Sequence, residues 1–341
     1  MTTPDISRRG ALAVLSATVL TTLAGCASDD PSAGTGRSSR SSASGPWTFT
    51  DGRGRTVTLD RRPERIASYA DYALGLFSYG LSPVAVFGRV EVAQDDRFDE
   101  FDLGDTAVVG NSYGEIDLEA LAEAAPDLIV VGIYPTDRMG TLDLDGALYS
   151  LKDVEQQKQL EKIAPVVAVK VGGAGLGVIS SVTSLARRLG AEDGTIAAAR
   201  KQFDTSAARL GAVARRSGLE VTQMYADSDG VYVVKPHDEP ETQLYEALGV
   251  DFTDAHPKGY YYWDIYSWEN AGQAMTGDVL LVNVEGMQAG DLRKQPTFAS
   301  HPALVAGQVH SWNDTALDYA SQAAHMDELT KILRSSRKLT T

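Results

Sequence analysis

Hydrophobic and polar residues alternate where the apolar-rich part of the chain begins, and short uninterrupted apolar runs follow. Trp47-Thr48-Phe49-Thr50 and Thr56-Val57-Thr58-Leu59 alternate around Asp51-Gly52-Arg53-Gly54, which predicts a β-hairpin. The later runs lack alternation, as is typical of parallel strands covered on both faces. In the first half these runs occupy residues 65–67, 83–87, 106–109, 128–131 and 166–169, with helices predicted at 72–79 and 117–125.

A long polar segment in the middle of the chain carries apolar residues at helical spacing. Ile196, Phe203, Ala207, Leu210 and Ala214 fall on one face of a helix. A helix over residues 192–216 would be about 37 Å long at 1.5 Å per residue. Strands at 221–225, 231–234, 279–282 and 309–310 and helices at 239–248 and 316–333 follow. The pattern predicts an α/β protein, in which the long helix packs within one domain or joins two sets of α/β units.

The N-terminus has the layout of an export signal. Arg8 and Arg9 precede an uncharged segment, residues 10–22, which is shorter than the roughly 20 apolar residues that cross a bilayer. Leu23-Ala24-Gly25-Cys26 resembles the bacterial lipobox, whose cysteine is acylated and becomes the mature N-terminus. We therefore expect residues 1–25 to be a lipoprotein signal peptide and Cys26 to carry lipid. Ser7-Arg8-Arg9-Gly10-Ala11-Leu12 is similar to a twin-arginine signal, but Ala11 replaces the preferred aromatic, so the export route stays open.

Composition narrows the function classes further. Residues 26–46 are rich in Ser, Gly and Ala, which predicts a disordered tether of roughly 20 residues. The formal charge is −15, and removing a signal peptide that carries Asp5, Arg8 and Arg9 (net +1) brings the mature chain to −16. Such acidity argues against nucleic-acid binding. Cys26 is the only cysteine, so acylation leaves no thiol for a disulfide, a metal site or a nucleophile.

Two similar segments occupy corresponding places in the two halves. Residues 117–125 form a predicted helix with Glu119 in its first turn, and Asp127 precedes the apolar run that follows. Residues 267–277 are interpreted in the same way, with Glu269 in the first turn and Asp278 before the next run. A helix dipole stabilises an acid near the N-terminus, which explains one glutamate better than a matched pair.

Short motifs spread over the chain carry a family resemblance. They are Asp51-Gly52 with Pro63-Glu64-Arg65-Ile66, Pro126-Asp127-Leu128-Ile129, Leu189-Gly190-Ala191, and His301-Pro302-Ala303-Leu304 to Val309. Together they resemble the substrate-binding proteins of ABC importers that capture ferric siderophores and cobalamin, from Trp47 to the C-terminal helix. The resemblance implies two α/β lobes with mainly parallel sheets, residues 47–185 and 217–341, joined by one long helix within 186–216 (the class III periplasmic-binding-protein type). It also implies that Glu119 and Glu269 dock onto arginines of a permease dimer that is driven by a cytoplasmic ATPase.

The same resemblance places a ligand in the cleft between the lobes, where side chains on loops after strands are expected to line it. The expected residues are Tyr69, Tyr72, Arg89, Asn111, Tyr113, Tyr134, Lys235, Tyr262, Trp263, Tyr266 and Trp312. Tyr134, Trp263 and Trp312 approximately match aromatic cleft residues of the family. Some of Tyr260 to Trp263 should line a surface, because four consecutive aromatics cannot all face inward.

The charge of these loops predicts the ligand class. A ferric tris-catecholate carries about three negative charges and needs several cations, whereas a ferric hydroxamate is neutral or singly positive and suits aromatic walls. Arg89 and Lys235 are the obvious cations, so we expect a hydroxamate, ferrioxamine-like complex. The siderophore chelates the iron, so no protein metal ligand and no cofactor are expected. We expect a non-enzymatic, monomeric binding protein on the outer face of the cell membrane.

Two other functions fit parts of the sequence. Gly110-Asn111-Ser112-Tyr113-Gly114 matches the G-x-S-x-G elbow of hydrolases, which would make Ser112 a nucleophile with His301 or His310 as the base. Alternatively, the chain binds cobalamin or a bare metal ion. Its histidines, His237, His256, His301, His310 and His325, show no H-x-H or H-x-x-x-H spacing.

Overall fold

The described chain begins with the predicted hairpin. The computed structural model describes residues 45–273, 276–313 and 316–339. Strand β1 (Trp47–Thr50) pairs antiparallel with β2 (Thr56–Leu59). The Asp51 carboxylate holds the turn between them, because it accepts hydrogen bonds from the backbone N–H groups of Arg53 and Arg55 at 2.9 and 3.1 Å.

The first sheet consists of five parallel strands. Its elements are β3 (Ile66–Tyr69), α1 (Ala70–Ser78), β4 (Ala85–Phe87), β5 (Ala107–Gly110), α2 (Leu118–Glu123), β6 (Leu128–Ile133), α3 (Val154–Ile163) and β7 (Val166–Lys170). The strand order is β5-β4-β3-β6-β7. The unbroken apolar runs predicted these strands correctly because both faces of the sheet are covered. Helix α3 was not predicted, since it buries only Leu160.

Two helices follow the first sheet. Helix α4 (Gly175–Leu189) ends at Gly190, whose φ of 103° is the left-handed value typical of a helix C-cap. Helix α5 (Asp193–Ser217) has 25 residues and agrees with the long helix predicted from spacing. Its buried face includes Ile196, Phe203 and Leu210.

The second sheet is mixed. Its elements are β8 (Glu220–Ala226), β9 (Gly230–Val234), α6 (Pro240–Leu248), β10 (Asp251–Phe252), β11 (Trp263–Ser267), β12 (Val279–Asn283), α7 (Ala289–Leu292), α8 (Pro302–Ala306), β13 (Val309–Trp312) and α9 (Tyr319–Ser335). The strand order is β11-β9-β8-β12-β13, and β10 also pairs with β8. Strands β8, β10, β12 and β13 pair in parallel, whereas β9 runs in the opposite direction and pairs antiparallel with both β8 and β11.

The predicted fold class is confirmed: two α/β sheets are joined by one long helix. Buried side chains of both sheets and of α5 belong to one continuous apolar cluster that includes Ala67, Val167, Phe203, Val221 and Leu281. The predicted boundary between residues 185 and 186 falls within α4. The lobe bounds themselves stay a prediction.

The two similar segments, residues 117–127 and 267–278, both end in an aspartate that hydrogen-bonds the neighbouring strand, but they differ in structure where they begin. Asp127 accepts a hydrogen bond from Arg65 N–H at 3.0 Å, and Asp278 accepts one from Glu220 N–H at 2.9 Å. Each carboxylate thereby joins the start of its strand to the neighbouring central strand. Glu119 lies in the first turn of α2, as predicted. The predicted helix at Glu269 is wrong, because β11 continues to Ser267 and, among the described residues of this segment, a 3-10 turn, Ala271–Gln273, takes the place of a helix.

No helix in the described part of the chain combines the length and apolarity that a membrane span needs. Cys26, the signal peptide and nearly all of the tether lie outside the described residues.

Candidate functional site

A cavity of about 390 Å³ lies where the carboxyl ends of strands from both sheets meet. Ten described residues line it: Arg89, Tyr134, Pro135, Tyr149, Tyr225, Tyr261, Tyr262, Trp263, Asn283 and Glu285. The first four come from segments of the first sheet and the others from the second. Carboxyl ends of parallel strands are the usual ligand positions of open α/β sheets, so the cavity is the candidate binding site.

One ion pair crosses the cavity between the two sheets. Arg89 lies just after β4 and Glu285 just after β12, and Arg89 Nε is 2.6 Å from Glu285 Oε1. The two side chains are 10% and 29% exposed. Arg89 also hydrogen-bonds the Tyr149 side chain. The guanidinium is thus held against an aromatic wall and is balanced by a carboxylate.

Tyrosines of the first sheet form one wall of the cavity. The rings of Tyr134 and Tyr149 are 4.4 Å apart between centroids, and Tyr113 packs edge-on against Tyr149 at 5.4 Å. Burial raises the pKa of the Tyr149 phenol to about 12, against the lowering effect of Arg89, and burial also raises the pKa of Tyr134. Both side chains are therefore neutral at physiological pH and offer ring faces and hydroxyl groups rather than phenolate oxygens.

The second wall is formed by Tyr261, Tyr262 and Trp263. Trp263 and Tyr266, expected on a loop, belong to strand β11, which pairs with β9. Tyr262 has a φ of 72°, a left-handed conformation that costs energy for a bulky residue. Its backbone N–H donates to Asp238 at 3.0 Å, and its hydroxyl donates to Glu239. These contacts hold Tyr262 against the cavity.

Several residues expected at the cavity lie elsewhere. Lys235 is buried and pairs with Asp264 at 2.8 Å, because the antiparallel strand β11 brings that carboxylate beside it. Trp312 is 2% exposed, and its Nε1–H donates to Glu241 at 3.0 Å. Tyr266 hydrogen-bonds His256 at 3.0 Å. The expected position at the cavity wall is therefore wrong for these three residues.

Other expected residues support the cavity from behind or from its rim. Tyr69 and Tyr72 are 1% and 5% exposed and belong to the core, where the Tyr69 ring packs edge-on against Tyr149 at 5.7 Å. Tyr113 is half-exposed and reaches the site through its contact with Tyr149. Asn111 does not line the cavity, because its side-chain oxygen accepts a hydrogen bond from Val92 N–H at 3.0 Å. The predicted residues that do line the cavity are Arg89, Tyr134, Tyr262 and Trp263.

The cavity also contains residues that sequence reasoning missed. Tyr225, Asn283 and Glu285 lie at or just after the carboxyl ends of β8 and β12. The expectation that residues at the ends of strands line the site, which predicted Arg89, would also have predicted these three. Tyr149 had no such signal. An isolated bridge to Gly132 brings it beside the end of β6 from a segment without regular structure.

The geometry at Ser112 differs from that of a nucleophile elbow, which places a helix immediately after the serine. Ser112 is exposed and bridges to Glu115 in a turn, and α2 begins only at Leu118. His301 Nδ1 is engaged elsewhere, since it accepts a hydrogen bond from Ala303 N–H at 3.1 Å. Within the described ranges, no group of three or more His, Cys, Asp or Glu side chains could hold a metal ion.

Comparisons with known proteins agree with this architecture. The ferric-siderophore receptor protein DesE from Streptomyces coelicolor is 28% identical, with a TM-score of 0.74 over 86% of this chain and 100% of that chain. The siderophore periplasmic binding protein from the fuscachelin gene cluster of Thermobifida fusca is 24% identical, with a TM-score of 0.57 over 80% and 97%. FhuD2 from Staphylococcus aureus with bound ferrioxamine B is 20% identical, with a TM-score of 0.55 over 80% and 98%. The last two similarities show the fold alone.

Family membership follows from a match that spans most of the chain. No curated protein matches the sequence. A family model described as "Periplasmic binding protein" matches residues 72–316, more than two thirds of the chain. The chain therefore belongs to the periplasmic binding protein family.

Proposed function

We propose that this chain is the extracytoplasmic substrate-binding lipoprotein of an ABC iron importer, and that it binds a ferric siderophore in the cavity between the two sheets. The observation that carries the proposal is the cavity itself: aromatic walls from both sheets surround one balanced ion pair. DesE is a ferric-siderophore receptor protein, which supports the same ligand class for this chain, and FhuD2, which shares the fold, has been solved with bound ferrioxamine B.

The proposed ligand is a ferric hydroxamate of the ferrioxamine type. A tris-catecholate complex with about three negative charges would require several uncompensated cations, but Arg89 is paired with Glu285 and Lys235 with Asp264. Aromatic rings and neutral phenols suit a complex that is neutral or singly positive. Iron would remain inside its chelator, so the protein needs no metal ligand and no cofactor.

The proposed delivery step depends on a lipid anchor and a permease. Acylated Cys26 would keep the protein at the membrane, and the tether would hold it within reach of a permease dimer with its cytoplasmic ATPase. The Cys26→Ala variant should be released to the medium, as measured by fractionation, with its ligand affinity unchanged. Retention of this variant at the membrane would contradict the anchor.

Tryptophan fluorescence tests the proposed ligand. We expect ferric hydroxamates to quench the emission, because Trp263 lines the cavity, and we expect weaker effects from ferric tris-catecholates, cobalamin and free metal ions. The Trp263→Phe variant should lose most of the quenching. Trp268→Phe is the matched control, since Trp268 lies outside the cavity and donates to Asp227 O at 3.0 Å.

Other outcomes would support other functions. Tight binding of tris-catecholates alone would refute the hydroxamate assignment, and saturable binding of a metal ion without siderophore would favour a metal-binding protein. Hydrolysis of a model ester that is abolished by Ser112→Ala would favour a hydrolase.

A further inference from the structure

Arg89 and Glu285 are the charged members of the ten described residues that line the cavity. They stand at corresponding positions, one shortly after a strand of each sheet, and their side chains meet at 2.6 Å. The Arg89 side chain is 10% exposed, so water reaches little of its charge. A lone guanidinium in this position would attract anions strongly, because Coulomb interactions strengthen as water is excluded.

The Glu285 carboxylate cancels that attraction. With both groups ionised, the charge of the cavity lining sums to zero, and the remaining lining residues are uncharged. A second group of buried charges, around Arg97, lies close enough to Arg89 to interact with it electrostatically. Arg97 pairs with both Asp71 and Asp95, at 2.8 and 2.7 Å, so this buried group contributes one net negative charge. The electrostatic environment of the cavity therefore disfavours an anionic ligand.

We infer that Glu285 is a specificity-determining residue, which neutralises Arg89 and makes the cavity discriminate against negatively charged ferric complexes. This inference rests on the proposed function and adds to it the charge class of the ligand. The accepted complexes carry a charge of zero or above. Complexes of the same size with an added carboxylate are rejected by charge rather than by shape.

The test uses three ferric trihydroxamates that share one chelating core. Their tail amine is free, acetylated or succinylated, which gives a cationic, a neutral and an anionic complex. For the wild-type protein we expect the dissociation constant to rise in that order. Fluorescence quenching and isothermal calorimetry, at fixed low salt, measure the ratio of the dissociation constants of the anionic and cationic complexes.

The Glu285→Gln variant keeps the shape of the side chain and an acceptor oxygen for Arg89, but it leaves the cavity with one positive charge. Unit charges about 10 Å apart at an effective dielectric constant of about 20 change affinity about tenfold. The anionic-to-cationic ratio should therefore fall at least tenfold in this variant. The Arg89→Gln variant should move the ratio in the opposite direction.

The double variant Arg89→Gln/Glu285→Gln separates charge balance from side-chain positioning. Because its lining is again neutral, its ratio should return to within about threefold of the wild-type ratio. Glu155→Gln is the matched control, since it removes the same charge from an exposed side chain of α3 and should leave the ratio unchanged. Melting temperatures of all four variants monitor folding.

Failure of the inference is distinguishable from failure of the proposed function. If wild-type protein binds all three complexes and Glu285→Gln leaves the ratio unchanged, the role of Glu285 is overturned while siderophore binding stands. If wild-type protein binds none of the three, the proposed function is contradicted and the inference falls with it.

Discussion

Glu241 is a fully buried carboxylate at the start of α6, and four side chains surround it. His325 Nδ1, Trp312 Nε1 and Gln322 Nε2 lie at 3.0 Å from its oxygens, and Tyr245 donates at 3.3 Å. Burial raises the pKa of Glu241, but the hydrogen bond and charge of His325, together with the hydrogen bonds of Gln322 and Trp312, outweigh it and lower the pKa below its ordinary value. Burial lowers the pKa of His325, but Glu241 raises it above 6.5.

These opposite shifts predict how the pair depends on pH. The contribution of Glu241 is present above about pH 4.5 and is lost as pH falls through its lowered pKa. The contribution of His325 is present below about pH 6.5 and is lost as pH rises through its raised pKa. The pair should therefore stabilise the fold most between these two values.

The His325→Gln variant should lower the free energy of unfolding by about 3 kcal/mol at pH 6, because it leaves a buried carboxylate without its cation. The difference from wild type should narrow as pH rises from 6 to 9. Denaturant unfolding across this range measures it, with His237→Gln, at a 67% exposed side chain, as control. A difference that does not change with pH would contradict this account.

Gly132 leaves room for the tyrosine wall. A Cβ atom added there would collide with the Tyr72 hydroxyl and would approach the Tyr149 side chain to 3.4 Å. We expect Gly132→Ala to lower the free energy of unfolding by about 1–3 kcal/mol and to weaken ligand binding. Gly177→Ala is the control, because nothing lies within 4 Å of the added atom in α4. Equal stability of the two variants in urea would refute the role of Gly132.

Single residues also show where sequence reasoning reaches its limit. Arg89 and Tyr134 could be predicted because they follow β4 and β6, at the carboxyl ends where parallel sheets present their ligand sites, whereas Trp263 was predicted from the family resemblance and begins β11. Lys235 and Trp312 satisfied similar criteria, but Asp264 and Glu241 bind them inside the protein. Those partners come from distant segments, so no local pattern could reveal that these polar groups were already engaged.

At the scale of elements, Arg138 connects the loop after β6 to the segment that carries the second cavity wall. Its Nε and Nη2 atoms donate to the two oxygens of Asp238 at 2.8 and 2.7 Å, and the guanidinium also reaches the carbonyl groups of Gly259 and Tyr260. Asp238 in turn accepts the Tyr262 N–H. One bidentate pair therefore supports a backbone segment that contains a left-handed tyrosine.

The Arg138→Gln variant should loosen that segment. We expect amide hydrogen exchange in residues 256–262 of the ligand-free protein to accelerate at least tenfold, because the segment loses its charged anchor. Arg187→Gln removes a comparable but exposed pair, with Asp193 at 2.8 Å, and should leave this exchange unchanged. Equal exchange in both variants would show that the segment does not depend on Arg138.

Elements with strong hydrophobic periodicity were predictable, and the others were not. The buried parallel strands and α5 agree with their patterns, because burial on both faces or on one helical face leaves a period in the sequence. Strand β11 was missed because consecutive aromatics suggested a surface loop, whereas the segment pairs with β9. In the described residues after Ser267 a 3-10 turn replaces the expected helix, because the likeness to the α2 segment lies in a few residue positions and not in a helical hydrophobic period.

At the scale of the whole molecule, Glu119 and Glu269 are exposed acids, one in each half. The Ser267 side chain hydrogen-bonds Glu269 and lowers its pKa further below the range in which an exposed carboxylate would gain a proton. If both glutamates dock onto the permease, the Glu119→Lys/Glu269→Lys variant should bind its siderophore normally but lose at least tenfold in iron uptake by cells. The Glu155→Lys/Glu192→Lys variant is the matched control, because it makes the same charge change at two exposed residues outside the cavity.

Unimpaired uptake by the docking variant would contradict this assignment. Loss of siderophore binding together with uptake would also do so, since it would locate the effect in the cavity rather than at the permease.

The apolar cluster that runs from the first sheet through α5 into the second has a calorimetric consequence. Unfolding either half alone would expose the shared buried surface on both halves, whereas only the unfolded half would gain conformational entropy. The folded region should therefore melt in a single endotherm, with calorimetric and van't Hoff enthalpies in agreement. Heating should therefore show a single cooperative unit, although the candidate binding site lies between two sheets.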